Sequence, residues 1–523
     1  MKNYLFYLLT FFCLLEHLGA QEVNWLFREG GTSYERSQSI AVDQNNFIYV
    51  TGGYNGNAQI GQQTLPIYGD EDIFVSKYDQ NGNPEWVVTA GGPEQDLPFS
   101  INLDSDLNVY VTGFFNEPCT FGDTTLTGME NDQIFLVKYD NAGVFQWARQ
   151  GGSYNQNWGK TVIVDSNNNI IIAGSIGANA TFGDTTILGS YTLFIAKYNS
   201  NGDLLYAKSG DGYAGINAIC ADENNNMFAT GNYHGELVLD SISTNSNSIY
   251  SFLIASFNPF GKTQWVYDGG GQASGDGTSI IVDHNNDLCF TYLFYDSTVI
   301  EGNHYYSNGN CDLILGKISN SGSLIWQKHI GGNNLWHDKT ITVDNFNNIY
   351  LTGTLAGTDY FEGIPFTAQD EDVFVAKFNP DGGFNWLIQG NGVDQDQGSG
   401  ICFHELSGNI YSTGSFNYTM EFDGKTVTAN GDADFFLSEI SLITGLNETK
   451  TNHTFLLYPN PTNGIIRSSV GNVKSIEVLN ELGEIIIKQF DANEIDLTNM
   501  PAGIYFIKLN TPSVTIVEKV LKQ

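Results

Sequence analysis

The sequence predicts an all-β chain, a ring of four-stranded antiparallel sheets closed by the chain's own N-terminal strand, with a small β-sandwich after it. Three observations carry this reading. A segment of the form AVDQNNFIYVTG returns along the chain, the apolar residues between turns come in short β-branched and aromatic runs, and the last copy lacks a strand that the beginning of the chain can supply.

The repeat comes first. AVDQNNFIYVTG, NLDSDLNVYVTG, IVDSNNNIIIAG, CADENNNMFATG, IVDHNNDLCFTY, TVDNFNNIYLTG and HELSGNIYSTG align on Asp43, Asp104, Asp165, Asp222, Asp283, Asp344 and Glu405, at spacings of 61, 61, 57, 61, 61 and 61 residues. In the first copy, strand a reads SIAVD, strand b IYVTG, strand c DIFVSKYD and strand d EWVVTA, each bounded by Asn, Asp or Gly. The c–d turn recurs as YDQNGNPEW, YNSNGDLLY, FNPFGKTQW, ISNSGSLIW and FNPDGGFNW, where Gly supplies the positive φ of a tight hairpin. Four-stranded sheets repeated about an axis protect their edges by closing, so residues 22–442 are expected to form a seven-bladed β-propeller.

Closure follows from the ends. The seventh copy has GICFHE, NIYSTG and DADFFLSEIS, but then runs into LITGLNETK with no tryptophan strand. NWLFREGG, residues 24–31, carries the tryptophan-then-glycine pattern of strand d and is expected to complete the last blade. Two departures, Tyr206 in place of the strand-d tryptophan and Tyr292 in place of the glycine after strand b, predict local distortion.

SIAVDQNNFIYVTG followed by DIFVSKYDQNGNPEW resembles the SBBP-type repeat of seven-bladed β-propellers over roughly residues 22–442. That resemblance implies a fold; the family is defined by its repeats and implies no active site.

Outside the repeats, residues 1–20 carry Lys2, an apolar run from Tyr4 to Leu15 and the small residues Gly19 and Ala20, the order of a secretory signal peptide. Cys13 lies inside that run, which argues against a lipoprotein anchor, and no later stretch is long and apolar enough for a membrane span. A polar linker, 443–453, precedes a segment at 454–523 whose strands SIEVLNELGEIIIKQF, IDLTNMPAGIYFIKLN and SVTIVEKVLKQ predict a small β-sandwich. Pro459, Asn460, Pro461 and Gly464, then Gly483, then Ala502, Gly503, Ile504 and Tyr505, and the basic ending with Lys519 and Lys522, resemble the type A sorting domain of the type IX secretion system. The resemblance implies export to the outer cell surface or the medium, with the secretion machinery as a partner.

Composition narrows the function. Lys and Arg number 22 against 58 Asp and Glu, a net charge of −36, so nucleic acid and anionic lipid are excluded as partners by Coulomb repulsion. Cys119, Cys220, Cys289, Cys311 and Cys402 follow no CxxC spacing and read as small core residues rather than a disulfide framework or zinc site.

The d–a loops hold the candidate ligand-binding residues Asp96, Trp158, Asp276, Trp336, His337, Asp394 and Asp396, with Asp338 beside them. An aromatic ring beside carboxylates and amides suits a sugar, because its CH face stacks and its hydroxyls bond. The competing reading gives Asp and Asn to turn capping and the tryptophans to packing between blades. Asp394 and Asp396 are the nearest approach to a catalytic carboxylate pair, and no catalytic residue is assigned. The ring Asp43 to Glu405 could hold metal, but each member opens a DxNNN-like turn and is expected to cap it; DSDLN at 104–108 comes nearest to a calcium loop, no cofactor is assigned, and calcium is the one metal the net charge suggests. Lys77, Lys138, Lys197, Lys317 and Lys377 on strand c are expected to face solvent or pair with a carboxylate. DTT at 123 and 184, DSI at 240 and DST at 296 resemble a bacterial O-glycosylation signal. The expectation is a non-catalytic surface or secreted binding module for a glycan or protein, the alternative a secreted polysaccharide-acting hydrolase or lyase using the loop face.

Overall fold

The computed structural model describes residues 20–523 except 117, 129–130, 270–274, 444–456, 459–461, 469–472, 480–484, 491, 502, 511–514 and 523, and for some strand residues, 333–339 among them, the backbone alone. Residues 1–19 of the expected signal peptide therefore lie outside the described residues. Every regular element described is a β-strand. The chain divides into two compact units, Glu22–Leu442 and a second that holds Ile443–Gln523.

In the larger unit the first repeat pairs Glu35–Val42, Ile48–Tyr54, Asp72–Tyr78 and Pro84–Gly91 as antiparallel neighbours a, b, c and d. The same order holds through the second, third and fourth repeats. The next two repeats run together as one nine-stranded sheet, because Leu324–Val343 is a single strand whose first half pairs with Asn303–Ile318 and whose second half pairs with Ile349–Phe361. The last sheet holds Asp396–His404, Asn409–Phe416 and Asp434–Ile443, and its fourth strand is Ala20–Glu29 from the other end of the chain. Arg28 ties that strand down through Asp434 at 2.6 Å.

The a strands neighbour one another in succession. Glu35–Val42 lies beside Leu97–Leu103, then follow Asn157–Val164, Asp211–Ala221, Gly275–Val282, Leu324–Val343 and Asp396–His404, and the last lies beside Glu35–Val42 again.

Local chemistry explains the repeat. In the first six copies the aspartate closes the a–b turn: Asp43 Oδ1 accepts from the backbone N–H of Asn45 at 2.8 Å and of Phe47 at 3.0 Å, and Asp165 accepts from Asn167 and Asn169 at 2.9 and 2.8 Å. Its second oxygen takes a strand-b tyrosine hydroxyl where one is present, as Tyr110 does to Asp104 at 2.9 Å and Tyr350 to Asp344 at 2.9 Å. The seventh copy corrects the alignment. His404 takes the aspartate's place, its Nδ1 accepting from Ser407 N–H at 3.2 Å, in a turn one residue longer; Glu405 is exposed.

The strand-c lysines depart from expectation on exposure. Lys77, Lys197 and Lys317 are buried; Lys197 pairs with Asp165 at 2.7 Å and Lys317 with Asp283. Four repeats grip the next at the c–d turn: the indole N–H of Trp86, Trp147, Trp265 and Trp326 donates to the carbonyls of Asn141, Ser200, Asn320 and Pro380 at 3.1, 3.3, 3.0 and 3.1 Å, and Lys138 joins Trp147 on Ser200 at 3.1 Å. Gly143 sits at φ +78°, where a β-carbon would collide with the Trp86 ring. Neither tyrosine breaks the pairing at its own position, although the strand that holds Tyr292 shifts register three residues on, at Tyr295/Ser297. Tyr206 reaches the equivalent carbonyl, Pro259, at 3.5 Å, and Tyr292 is buried opposite Ile314 with its hydroxyl on Thr298 at 2.9 Å.

Hairpins inserted between strands b and c cover the outer edges. Cys119–Phe121 with Thr124–Leu126 pairs onto Pro84–Gly91, Ala180–Phe182 with Thr185–Ile187 onto Phe145–Gly152, and Thr419–Phe422 with Lys425–Thr428 onto Phe384–Gly392. Each shields an otherwise open strand edge of the preceding repeat. The two DTT tripeptides sit at such hairpin tips.

The C-terminal unit has a three-stranded and a four-stranded sheet that share one apolar cluster, Ile466, Val478, Ile495, Ile507 and Leu509 among its members.

Candidate functional site

All seven a strands carry a register shift at the same place: Ser37/Ser39, Pro98/Ser100, Gly159/Thr161, Ile216/Ala218, Gly277/Ser279, Trp336/Thr340 and Gly398/Gly400. A bulge sets one extra residue into a strand and bends it locally. Here those residues are Gln38, Phe99, Lys160, Asn217, Thr278 and Ser399, with three extra in the sixth repeat, 337–339. Three of the bulges begin at Gly159, Gly277 and Gly398, where a β-carbon would collide with Thr112, Thr230 and Thr352 on strand b of the preceding repeat. The G-x-T/S/G triplets GKT, GTS and GSG are the signal that sequence reasoning passed over.

Across the third, fourth and fifth repeats the a strands open on a cleft of about 450 Å³, lined by Trp158, Lys160, Tyr191, Tyr213, Asn217, Asn232, Tyr250 and Asp276. Its size falls in the range of small-ligand pockets. Trp158 is oriented by its indole N–H, which donates to Asp132 Oδ2 at 2.8 Å. The Lys160 ammonium stands 3.8 Å from the Phe99 ring centroid and 4.9 Å from that of Trp158. Tyr191 and Tyr213 stack with centroids 6.0 Å apart. Asp276 Oδ1 accepts from Asn217 Nδ2 at 2.7 Å and Asn232 Nδ2 at 2.9 Å. Burial pushes the Asp276 carboxyl up to about 6, against the opposing pull of the two amides and of Lys160.

Of the expected ligand residues, the structure thus brings Trp158 and Asp276 together. Asp96 and Asp396 are corrected: both are fully buried where strand a begins, accepting from Asn116 N–H at 2.9 Å and Asn417 N–H at 3.3 Å, and burial pushes their carboxyls up to about 7 and about 8. The glycine turns before strand a tuck them beneath the backbone, where they face Asp72 and Asp372 rather than the loop surface. Asp394 stays exposed at φ +85°. Trp336 and His337 lie in Leu324–Val343, and their side chains are outside the described residues.

A larger groove, about 710 Å³, runs past Leu126, Arg149, Gly151 and Tyr198. Arg149 there is spent on the carbonyls of Gly202, Ala148 and Asn201 at 2.8, 2.9 and 3.1 Å, so the larger space holds the poorer chemistry. Among the described residues no group of three or more His, Cys, Asp or Glu is placed to hold a metal ion.

In the C-terminal unit, Gly464 abuts Thr498, Tyr505 is buried with its hydroxyl on the Pro501 carbonyl at 3.0 Å, and Lys522, also buried, bridges to Thr462 through the backbone. Gly503 opens a strand paired to Lys522, and Lys519 lies on the same pairing. Pro459, Asn460, Pro461 and Gly483 lie outside the described residues.

Residues 456–523 match the family described as the secretion system C-terminal sorting domain. The chain therefore carries a type IX sorting domain, which engages that machinery and marks the protein for the cell surface or the exterior. No helix among the described residues is long and apolar enough to cross a membrane. Over 542 residues the chain is 23% identical to an uncharacterized WD repeat-containing protein of Acanthamoeba polyphaga mimivirus, covering 90% of this chain and 37% of that relative's length. Similar solved structures include a protein of unknown function from Bacteroides caccae, 9% identical with a TM-score of 0.28 over 61% of this chain and 93% of that one. A member of the DUF4221 family from Bacteroides vulgatus is 11% identical with a TM-score of 0.32, over 81% and 97% of the two chains.

Proposed function

We propose that this chain is an exported binding module: an SBBP-type seven-bladed β-propeller that presents a glycan-binding cleft at Trp158 and Asp276 and is delivered to the cell surface or the medium by its C-terminal sorting domain. The cyclic succession of a strands, and the N-terminal strand that completes the last sheet, support the propeller; the nine-stranded sheet is then two blades joined by one continuous strand.

The observation that carries the binding reading is the convergence, in one cleft, of aromatic rings with amides and a carboxylate. Aromatic faces gain by covering the CH surface of a sugar, and fixed polar groups select its hydroxyls. Against the alternative of a polysaccharide hydrolase or lyase stands the lining itself, in which Asp276 is the one carboxylate described, whereas two-carboxylate glycoside cleavage needs an acid and a second carboxylate at set separation. A glycan array probed with the full exported chain and with Trp158→Ala, followed by a reducing-end assay on each hit, tests both. Binding lost in the variant without new reducing ends is expected; new reducing ends in the wild type make the protein an enzyme.

A further inference from the structure

The donors and acceptors around the cleft are unevenly spent. The indole N–H of Trp158 is taken by Asp132 at 2.8 Å. Asn217 uses its amide hydrogens on Asp276 Oδ1 at 2.7 Å and on the Gly277 carbonyl at 3.0 Å, and Asn232 gives one of its own to the same carboxylate oxygen at 2.9 Å. An amide whose nitrogen is directed at a fixed carboxylate leaves its oxygen for other partners. The second oxygen of Asp276 and the amide oxygens of Asn217 and Asn232 accept no hydrogen bond among those described. The polar groups at this end of the cleft are thus acceptors, and an occupant must bring the donors.

Charge narrows the occupant further. Asp276 disfavours an anionic group beside it, and the Lys160 ammonium, held over Phe99 and Trp158, disfavours a cationic one. Hydroxyl groups satisfy both conditions, donating to the carboxylate and the amide oxygens without adding charge.

We infer that the cleft selects a neutral saccharide, whose hydroxyls donate to Asp276, Asn217 and Asn232 while its apolar face covers the Trp158, Tyr191 and Tyr213 rings, and that it rejects glycans built of uronic acids. The inference rests on the glycan-binding reading above and names the sugar class that reading leaves open. It also makes recognition depend on ionised Asp276: a protonated carboxyl donates where the sugar donates, so affinity falls as pH drops through about 6.

The test is calorimetry of the full exported chain with neutral gluco-, manno-, galacto- and xylo-oligosaccharides, with oligogalacturonate and alginate oligosaccharides, and with choline as the cationic probe. At least one neutral series is expected to bind tenfold or more tightly than either uronate series and than choline. Asp276→Asn should weaken it at least tenfold, and lowering the pH from 7.5 to 5 should weaken it several-fold, up to about tenfold, in the wild type, where no substitution can perturb folding. Tyr191→Ala, at an exposed rim position, supplies a variant whose folding is not at stake. Preference for uronates or choline overturns the inference and leaves a binding cleft; neutral binding indifferent to Asp276→Asn, Tyr191→Ala and pH moves the site elsewhere and overturns it too. Silence toward every saccharide sinks the glycan reading along with it.

Discussion

Asp396 shows what residue type alone does not convey. In VDQDQGSG two aspartates stand two apart, and composition gives them the same prospects; the structure leaves Asp394 in solvent and seats Asp396 fully inside. The difference comes from the strand alternation that begins at Asp396 and from the close-packed glycines before it, neither of which a loop motif expresses. The burial has a measurable consequence. Asp396, Asp96 and Glu35 have carboxyls pushed up to about 8, about 7 and about 7 chiefly by desolvation, each with a second carboxylate nearby: Asp372, Asp72 and Asp434 respectively, the last also paired with Arg28. Because the folded state holds these protons more tightly than the unfolded chain, their stabilising effect is complete below about pH 4 and is lost as pH rises through about 7 to 8. The thermal midpoint is expected to fall between pH 5.5 and pH 9, and Asp396→Asn should flatten that slope. A midpoint that rises over the interval contradicts the assignment.

At the scale of the element, the a–b turn was legible from sequence and the a-strand bulge was not. The turn is local: an aspartate, a residue two on and another four on, and a positive-φ asparagine, as in Asn46 at +67° and Asn168 at +59°, all lie within one short window. Even so the seventh copy misled, because Glu405 preserves the acid while His404 preserves the position. Asp165→Ala removes an acceptor from two turn amides and a partner from buried Lys197, and is expected to cost about 3 kcal/mol or more, whereas Glu405→Ala should stay within about 0.5 kcal/mol in urea unfolding. Equal costs would restore the sequence alignment. The bulges escaped notice because their cause is non-local: Gly159 is glycine on account of Thr112, 47 positions away in the preceding repeat. The cleft inherits that opacity, since Lys160 and Asn217 owe their placement to bulges, while Trp158 and Asp276 stood out by residue type.

At the scale of the whole molecule, two ends of the chain do separate work. The N-terminal strand Ala20–Glu29 covers the edge of Asp434–Ile443, with Asn24 on Glu439 and Arg28 on Asp434 fixing its register. Deleting residues 22–31 exposes that edge and is expected to speed limited proteolysis of the larger unit; unchanged resistance would mean that the strand is an ornament. The opposite end is an address. Deleting residues 456–523 should leave the protein inside the outer membrane, read by fractionation, and surface display without them would contradict their role. The proposed binding cleft is addressed most directly by amide hydrogen exchange on the full exported chain, with and without a glycan selected on the array. Protection is expected at residues 156–160, 213–217 and 276, the segments that line the cleft; a bound glycan that leaves these unprotected and slows exchange elsewhere would contradict the account.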